Sequence, residues 1–254
     1  MVSCFDGFLV YCNRISCLNL LTMALILNIE SATSVCSVAL GEGGNLLAEA
    51  FAENTYQHAG QITLLIESVM REAGRSLSEL DAVAVSQGPG SYTALRVGMS
   101  AGKGLCYALD LPLIGIPTLK ILARGVVKRI PAEILAQNPL IVPMIDARRM
   151  EVYTQLFDEK TVAKNEKTAQ IIEKSSYKAF FDSQQYLIFT GDGAAKCQSL
   201  LENAYAIFYP SEAQARDMLS LSETAFQQSD FLDLAYAEPF YVKAPNITKP
   251  KKLL

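Results

Sequence analysis

The chain has a single histidine, His58, and no two of its cysteines stand in CxxC spacing. The cysteines are scattered at Cys4, Cys12, Cys17, Cys36, Cys106 and Cys197. With one histidine and no cysteine pair, no zinc spacing can be drawn. The expected state is reduced, mostly buried thiols in a cytoplasmic protein. His58 cannot build a Ser-His-Asp triad unaided, although it could pair with a serine or cysteine. A histidine at a helix start without catalytic role is the simpler expectation. No window is apolar and long enough to span a bilayer. Basic residues are not in excess either: Lys and Arg total 22 against 26 Asp and Glu, for a net charge of −4. That balance disfavours a stand-alone nucleic-acid binder, which usually carries a basic face. Neither a G-x-G-x-x-G fingerprint nor a Walker loop occurs.

What is present is a large apolar fraction. Of 254 residues 50% are hydrophobic and 19% charged, enough for one large domain or two small ones. Residues 1–22 look foreign to the rest. They lack a basic start, a clean apolar centre and a cleavage site, so they make a poor signal peptide. Met23 is read as the biological start, and 1–22 as a mis-started or disordered extension. Residues 23–125 and 126–254 are expected to form two lobes, the second ending in an extended tail from Ala235.

Ala24–Glu30, Val35–Leu40 and Leu46–Phe51 read as a strand meander, with a hairpin turn at Gly41–Asn45. Ala59–Ala73 has helical spacing, with Gly74 after it. A strand at Leu80–Val85 leads into a helix at Tyr92–Leu109. A strand at Leu113–Ile116 and a helix at Thr118–Lys128 follow. Past a linker at Pro131–Pro139 the pattern restarts. Strands are expected at Leu140–Ile145, Glu151–Phe157 and Tyr186–Thr190, and helices at Ala194–Asn203 and Glu212–Gln227. The order of elements suggests an internal duplication.

Chemistry concentrates at the turns. Glu30-Ser-Ala-Thr33 puts a carboxylate and hydroxyls at a strand end, as does Asp146-Ala-Arg-Arg149 in the second half. Gly88-Pro89-Gly90-Ser91 and Gly191-Asp192-Gly193 each join a strand to a helix. Backbone N–H groups at such a turn and helix start can hold an anion. A vestigial nucleotide or anion site is therefore expected at Glu30, Thr33, Gly88, Gly90, Ser91, Asp146, Gly191 and Gly193. Tight turns that bind nothing would leave the same pattern.

The helix at Tyr92–Leu109 is unusual in its glycines, each of which costs about 1 kcal/mol against alanine. Gly98 and Gly102 lie at i,i+4 on one face. With Leu95, Met99, Leu105 and Cys106 they suggest a surface for close docking, either to the sheet or to a partner. The neighbouring helix offers Ile62, Leu65, Ile66, Val69 and Met70. Two such helices could meet two from another chain as a four-helix bundle.

Four segments carry a family resemblance: Met23–Thr33, Ser86–Gly98, Gly115-Ile-Pro-Thr-Leu119 and Ile145–Tyr153. Together they resemble the TsaB (YeaZ) family from Met23 to the tail. Ala94 and Met150 stand where that pattern usually has glycine. The resemblance implies an α/β, actin-like fold of the acetate-kinase/Hsp70 type with two βββαβα lobes. It implies a non-catalytic role in making threonylcarbamoyladenosine in tRNA. The partners it implies are a catalytic paralogue, TsaD, with a two-histidine metal site, and an ATPase, TsaE. Contact would run through the two helices just described, and tRNA would be met only in the complex. No metal, no membrane and no cofactor beyond weak nucleotide is expected of this chain, and a homodimer is open when it is alone. An active actin-fold phosphotransferase or ATPase using Glu30, Asp146 and the glycine turns is the alternative. A peptidase ranks last.

Overall fold

Leu25-Ile-Leu-Asn-Ile-Glu30 forms β1, and every residue of it is buried. An apolar run of this kind suits a central strand covered on both faces. The computed structural model describes residues 23–52 and 58–243. The expected extension 1–22, the side chain of His58 and the tail beyond Lys243 lie outside the described residues.

β2 (Ser37–Glu42) and β3 (Asn45–Phe51) complete an antiparallel meander, turning at Gly43 and Gly44, both at positive φ. β4 (Ala82–Gly88) and β5 (Leu113–Pro117) add parallel to β1, giving the order β3-β2-β1-β4-β5. Between β3 and β4 lies α1 (His58–Glu72), and between β4 and β5 lies α2 (Tyr92–Leu109). α3 (Thr118–Arg129) follows β5, and a short α4 (Ala132–Leu135) occupies part of the expected linker. The division expected at 125/126 falls within α3.

The second half repeats the plan. β6 (Leu140–Asp146), β7 (Glu151–Thr154) and β8 (Thr168–Ile171) form its meander. α5 (Lys178–Asp182) precedes β9 (Leu187–Thr190), and α6 (Asp192–Leu201) precedes β10 (Ala206–Phe208). The order is β8-β7-β6-β9-β10, the same as in the first sheet. The expected duplication is thus present in topology, and the chain has the α/β, actin-like fold of two such lobes.

α7 (Ala215–Gln227) comes late in sequence but packs on β1, β2 and α3. Alternation along β1 sorts its side chains. Leu25, Leu27 and Ile29 face α1 and α2, whereas Ile26 joins Leu122 of α3 and Met218 of α7. That second cluster also takes in Ile141, Ile145 and Ile188, so one apolar layer runs between the lobes. A third cluster, around Met144 and Phe189, lies outside the second sheet.

Candidate functional site

Two places bring the sequence-predicted residues together: the strand-end acids with their glycine turns, and the outer faces of α1 and α2.

Glu30 closes β1 and is fully buried. Its Oε1 accepts the Ala32 N–H at 2.6 Å, and Oε2 has no partner. Burial pushes its carboxyl up to about 7, opposed by the Ala32 N–H bond and the neighbouring Ser86 hydroxyl and reinforced by the Asp217 charge. Thr33 Oγ1 nearby is also buried without a partner. Asp146 closes β6 in the matching place, yet its side chain is 47% exposed. It accepts the Arg148 N–H at 2.7 Å and pairs with Lys196.

The glycine turns are filled by the protein's own backbone. Gly88 has φ +108, and a Cβ there would stand 2.6 Å from the Phe240 carbonyl oxygen. Phe240 in turn donates its N–H to Gln87 O at 2.7 Å. A Cβ on Gly90 would stand 2.3 Å from Ala32 O, which accepts the Ser91 N–H at 2.7 Å. Ser91 precedes α2, but its hydroxyl makes no capping bond. In the second lobe Gly191 (φ +93) would meet Met144 O at 2.4 Å, and Gly193 would meet the same oxygen at 3.0 Å. Close backbone crossings account for all four glycines, so none needs an anion to explain it. The cradle expected at Gly88, Gly90 and Ser91 is corrected accordingly: its Ser91 N–H is already spent inside the chain.

The docking face predicted on α1 and α2 also needs correction. Ile62, Leu65, Ile66, Val69, Met70, Met99 and Cys106 are buried in the first-lobe core, and Leu95 is buried beside the Gly88 turn. Gly98 and Gly102 face the sheet. A Cβ on Gly98 would stand 2.3 Å from Ser31 Oγ, and one on Gly102 would stand 2.5 Å from Val85. These glycines let α2 lie close on β1 and β4, which offsets their cost in the helix. The helix registers are right, but the pattern points inward.

The solvent side of the pair is an apolar groove of about 600 Å³. Of the predicted set, the buried Ile66 and Met70 form its floor and the half-buried Leu105 its wall, joined by Ala101, Gly104 and Leu77. Leu64 and Tyr107 stand on the same two helices, 62% and 84% exposed. Glu67, Arg71 and Arg75 add charge to the lining. Gly104 is exposed, and a Cβ there would meet nothing within 4 Å. A helix-interior glycine with open space above it was the signal for this face, and it is Gly104 rather than Gly98 or Gly102.

Among the described residues no group of three His, Cys, Asp or Glu side chains could hold a metal ion. No described helix is long and apolar enough to cross a membrane.

Residues 46–253 match the family model described as TsaD: tRNA N6-adenosine threonylcarbamoyltransferase. The Escherichia coli (strain K12) tRNA threonylcarbamoyladenosine biosynthesis protein TsaB is 28% identical over 227 residues, covering 86% of this chain and 94% of that protein. The tRNA N6-adenosine threonylcarbamoyltransferase of Geobacillus thermodenitrificans is 56% identical over 59 residues, 23% of this chain and 17% of its own length. The solved structure of YeaZ from Pseudomonas aeruginosa superposes with a TM-score of 0.73 at 24% identity, over 86% of this chain and all of that one.

Proposed function

The chain belongs to the TsaD family, on its TsaB (YeaZ) side, and from that premise we propose that it is a non-catalytic subunit in tRNA threonylcarbamoyladenosine biosynthesis. It docks a TsaD-like catalytic paralogue through the groove between α1 and α2. That groove carries the reading, because the protein leaves apolar side chains of two adjacent long helices facing water. Aliphatic groups around a concave centre, with charges at the edge, are what a helix-bundle interface uses.

Sequence and geometry support a pseudo-enzyme over a catalyst. One histidine cannot supply the two-histidine metal site expected of the catalytic paralogue. Glu30 is buried and held toward its neutral form, a poor arrangement for a Mg²⁺ ligand. The reading includes a TsaE-like ATPase in the assembly. It assigns this chain no cofactor beyond weak nucleotide, and it places a homodimer of the free chain on the same groove.

Gly104→Arg tests it. The new side chain has room in the monomer, so the melting temperature should hold while affinity for a TsaD relative falls about tenfold or more. Titration calorimetry of the purified pair reads the affinity. Undiminished affinity would overturn the docking assignment.

A further inference from the structure

A second concave site lies on the other side of the first lobe, where α3, α7 and the β2–β3 turn meet. It is a pocket of about 350 Å³, lined by Gly44 and Asn45 of the turn, Lys128 and Arg129 of α3, and Arg216 and Asp217 of α7, with Leu46 and Leu219 as an apolar wall. Arg124 stands one turn before Lys128 on the same face of α3 and donates to Ser220 Oγ of α7 at 3.1 Å. Four cations thus gather in a chain whose net charge is −4.

Carboxylates answer only two of the four. Arg129 binds Asp217 at 2.7 Å, and Arg216 binds Glu49 at 3.1 Å. Glu223 of α7 lies beside Gly44 but bonds Gln227 instead. Lys128 is exposed at the mouth, and its nearest acceptor is the Arg216 carbonyl oxygen at 3.4 Å. Among the described residues neither Lys128 nor Arg124 makes an ion pair. Partial desolvation, opposed by the Asp217 charge and helped by the nearby Arg124, Arg129 and Arg216 charges, holds the Lys128 ammonium below the usual lysine range. The site is also ordered before any ligand arrives. Gln214 Oε1 accepts from both Arg129 at 3.2 Å and Arg216 at 2.8 Å, which fixes two guanidinium groups side by side. Ser211 holds the other end of Arg129 at 3.1 Å.

We propose that this pocket is an anion site that takes a phosphate group, with Lys128 as the charge left for the ligand, Arg216 positioned beside it and Arg124 adding its field from one turn away. Guanidinium and ammonium groups gathered at one recess are suited to phosphate oxygens. Phosphate of this kind has two sources, a nucleic-acid backbone or a small polyphosphate. The inference stands on the pocket alone and does not depend on docking through α1 and α2.

The test uses the full chain by itself, with two probes. Sodium tripolyphosphate is titrated by calorimetry, and a tRNA transcript by fluorescence anisotropy across a salt series. Lys128→Glu removes no ion pair, so the fold should hold, and Lys128→Arg serves as the rescue. Tripolyphosphate affinity should fall about tenfold in Lys128→Glu and return in Lys128→Arg. If the source is a nucleic-acid backbone, the salt dependence of tRNA binding should also lose about one unit of slope. A response to tripolyphosphate alone supports the site with a small phosphate ligand. Wild-type protein that binds neither probe, or binds both equally well with Glu at position 128, overturns the proposal.

Discussion

The two lobes share one sheet order and differ in almost everything laid upon it. The first places a 15-residue helix between its third and fourth strands; the second has five residues of helix there. The helix after the glycine turn is 18 residues long in the first lobe and 10 in the second. The acids at the matching strand ends have parted as well. Glu30 is sealed and pushed toward neutrality, whereas Asp146 stays wet and paired with Lys196. Topology fixed where an acid would stand, and the covering elements decided its chemistry. The long helices of the first lobe make a surface for another molecule. The second lobe is closer to the minimum needed to close a core.

The comparison is broken most severely at Phe189. This side chain is fully buried in the second lobe, stacked on Phe208 at 5.1 Å and met edge-on by Tyr177 at 5.3 Å. Removing so large a buried ring leaves a cavity in that cluster, so Phe189→Ala should cost about 3–5 kcal/mol by urea denaturation.

Next comes the acid pair. Glu30 binds its proton more tightly folded than unfolded, rising from 4.5 to about 7. The cost of ionising it is absent below pH 4.5, grows as pH rises to 7, and is constant above. Glu30→Gln should therefore gain a few kcal/mol at pH 8 and nothing at pH 4, at about 1.4 kcal/mol per unit of displacement. Melts at the two pH values check this. Asp146→Asn removes the partner of Lys196 and should bring no gain at pH 8; an equal gain there would erase the contrast between the lobes.

A smaller effect separates the two sides of α2. Gly102→Ala pushes a methyl into Val85 and should cost about 1–3 kcal/mol. Gly104→Ala, two residues on and open to solvent, should be stabilising by up to about 1 kcal/mol. Thermal melts of the two variants read the sign directly.

Much of this architecture is legible in the residues. α2 spans Tyr92–Leu109 as its composition predicts, and α1 begins one residue before its expected start. The missed elements are short. β8 is a half-exposed edge strand, Thr-Ala-Gln-Ile, without strong alternation, and α5 and β10 are five and three residues long. A turn of helix or an edge strand draws its stability from neighbours, which a local window does not contain. The site was read with its direction reversed. Helical spacing marks an apolar stripe, and glycine marks a close approach, but neither says whether the neighbour is this chain or another. The burial of Glu30 was hidden for a similar reason. The Asp217 charge that reinforces its shift, and the Phe240 backbone that covers the adjoining turn, lie far along the sequence.

α7 gives the first sheet a peculiar timetable. Its Ala215 N–H bonds Ser37 Oγ across 178 residues of chain, and its Met218 shares a cluster with Ile26. Leu232 then bonds Leu113, and Phe240 bonds Gln87. A ribosome delivers β1, β2 and β3 first, and hairpin pairing can begin at once. On the face that α3 and α7 share, the part over β1 and β2 nevertheless waits for α7. A sheet paired early is thus covered by a helix far downstream, so the nascent chain carries part of an apolar face uncovered until α7 is made.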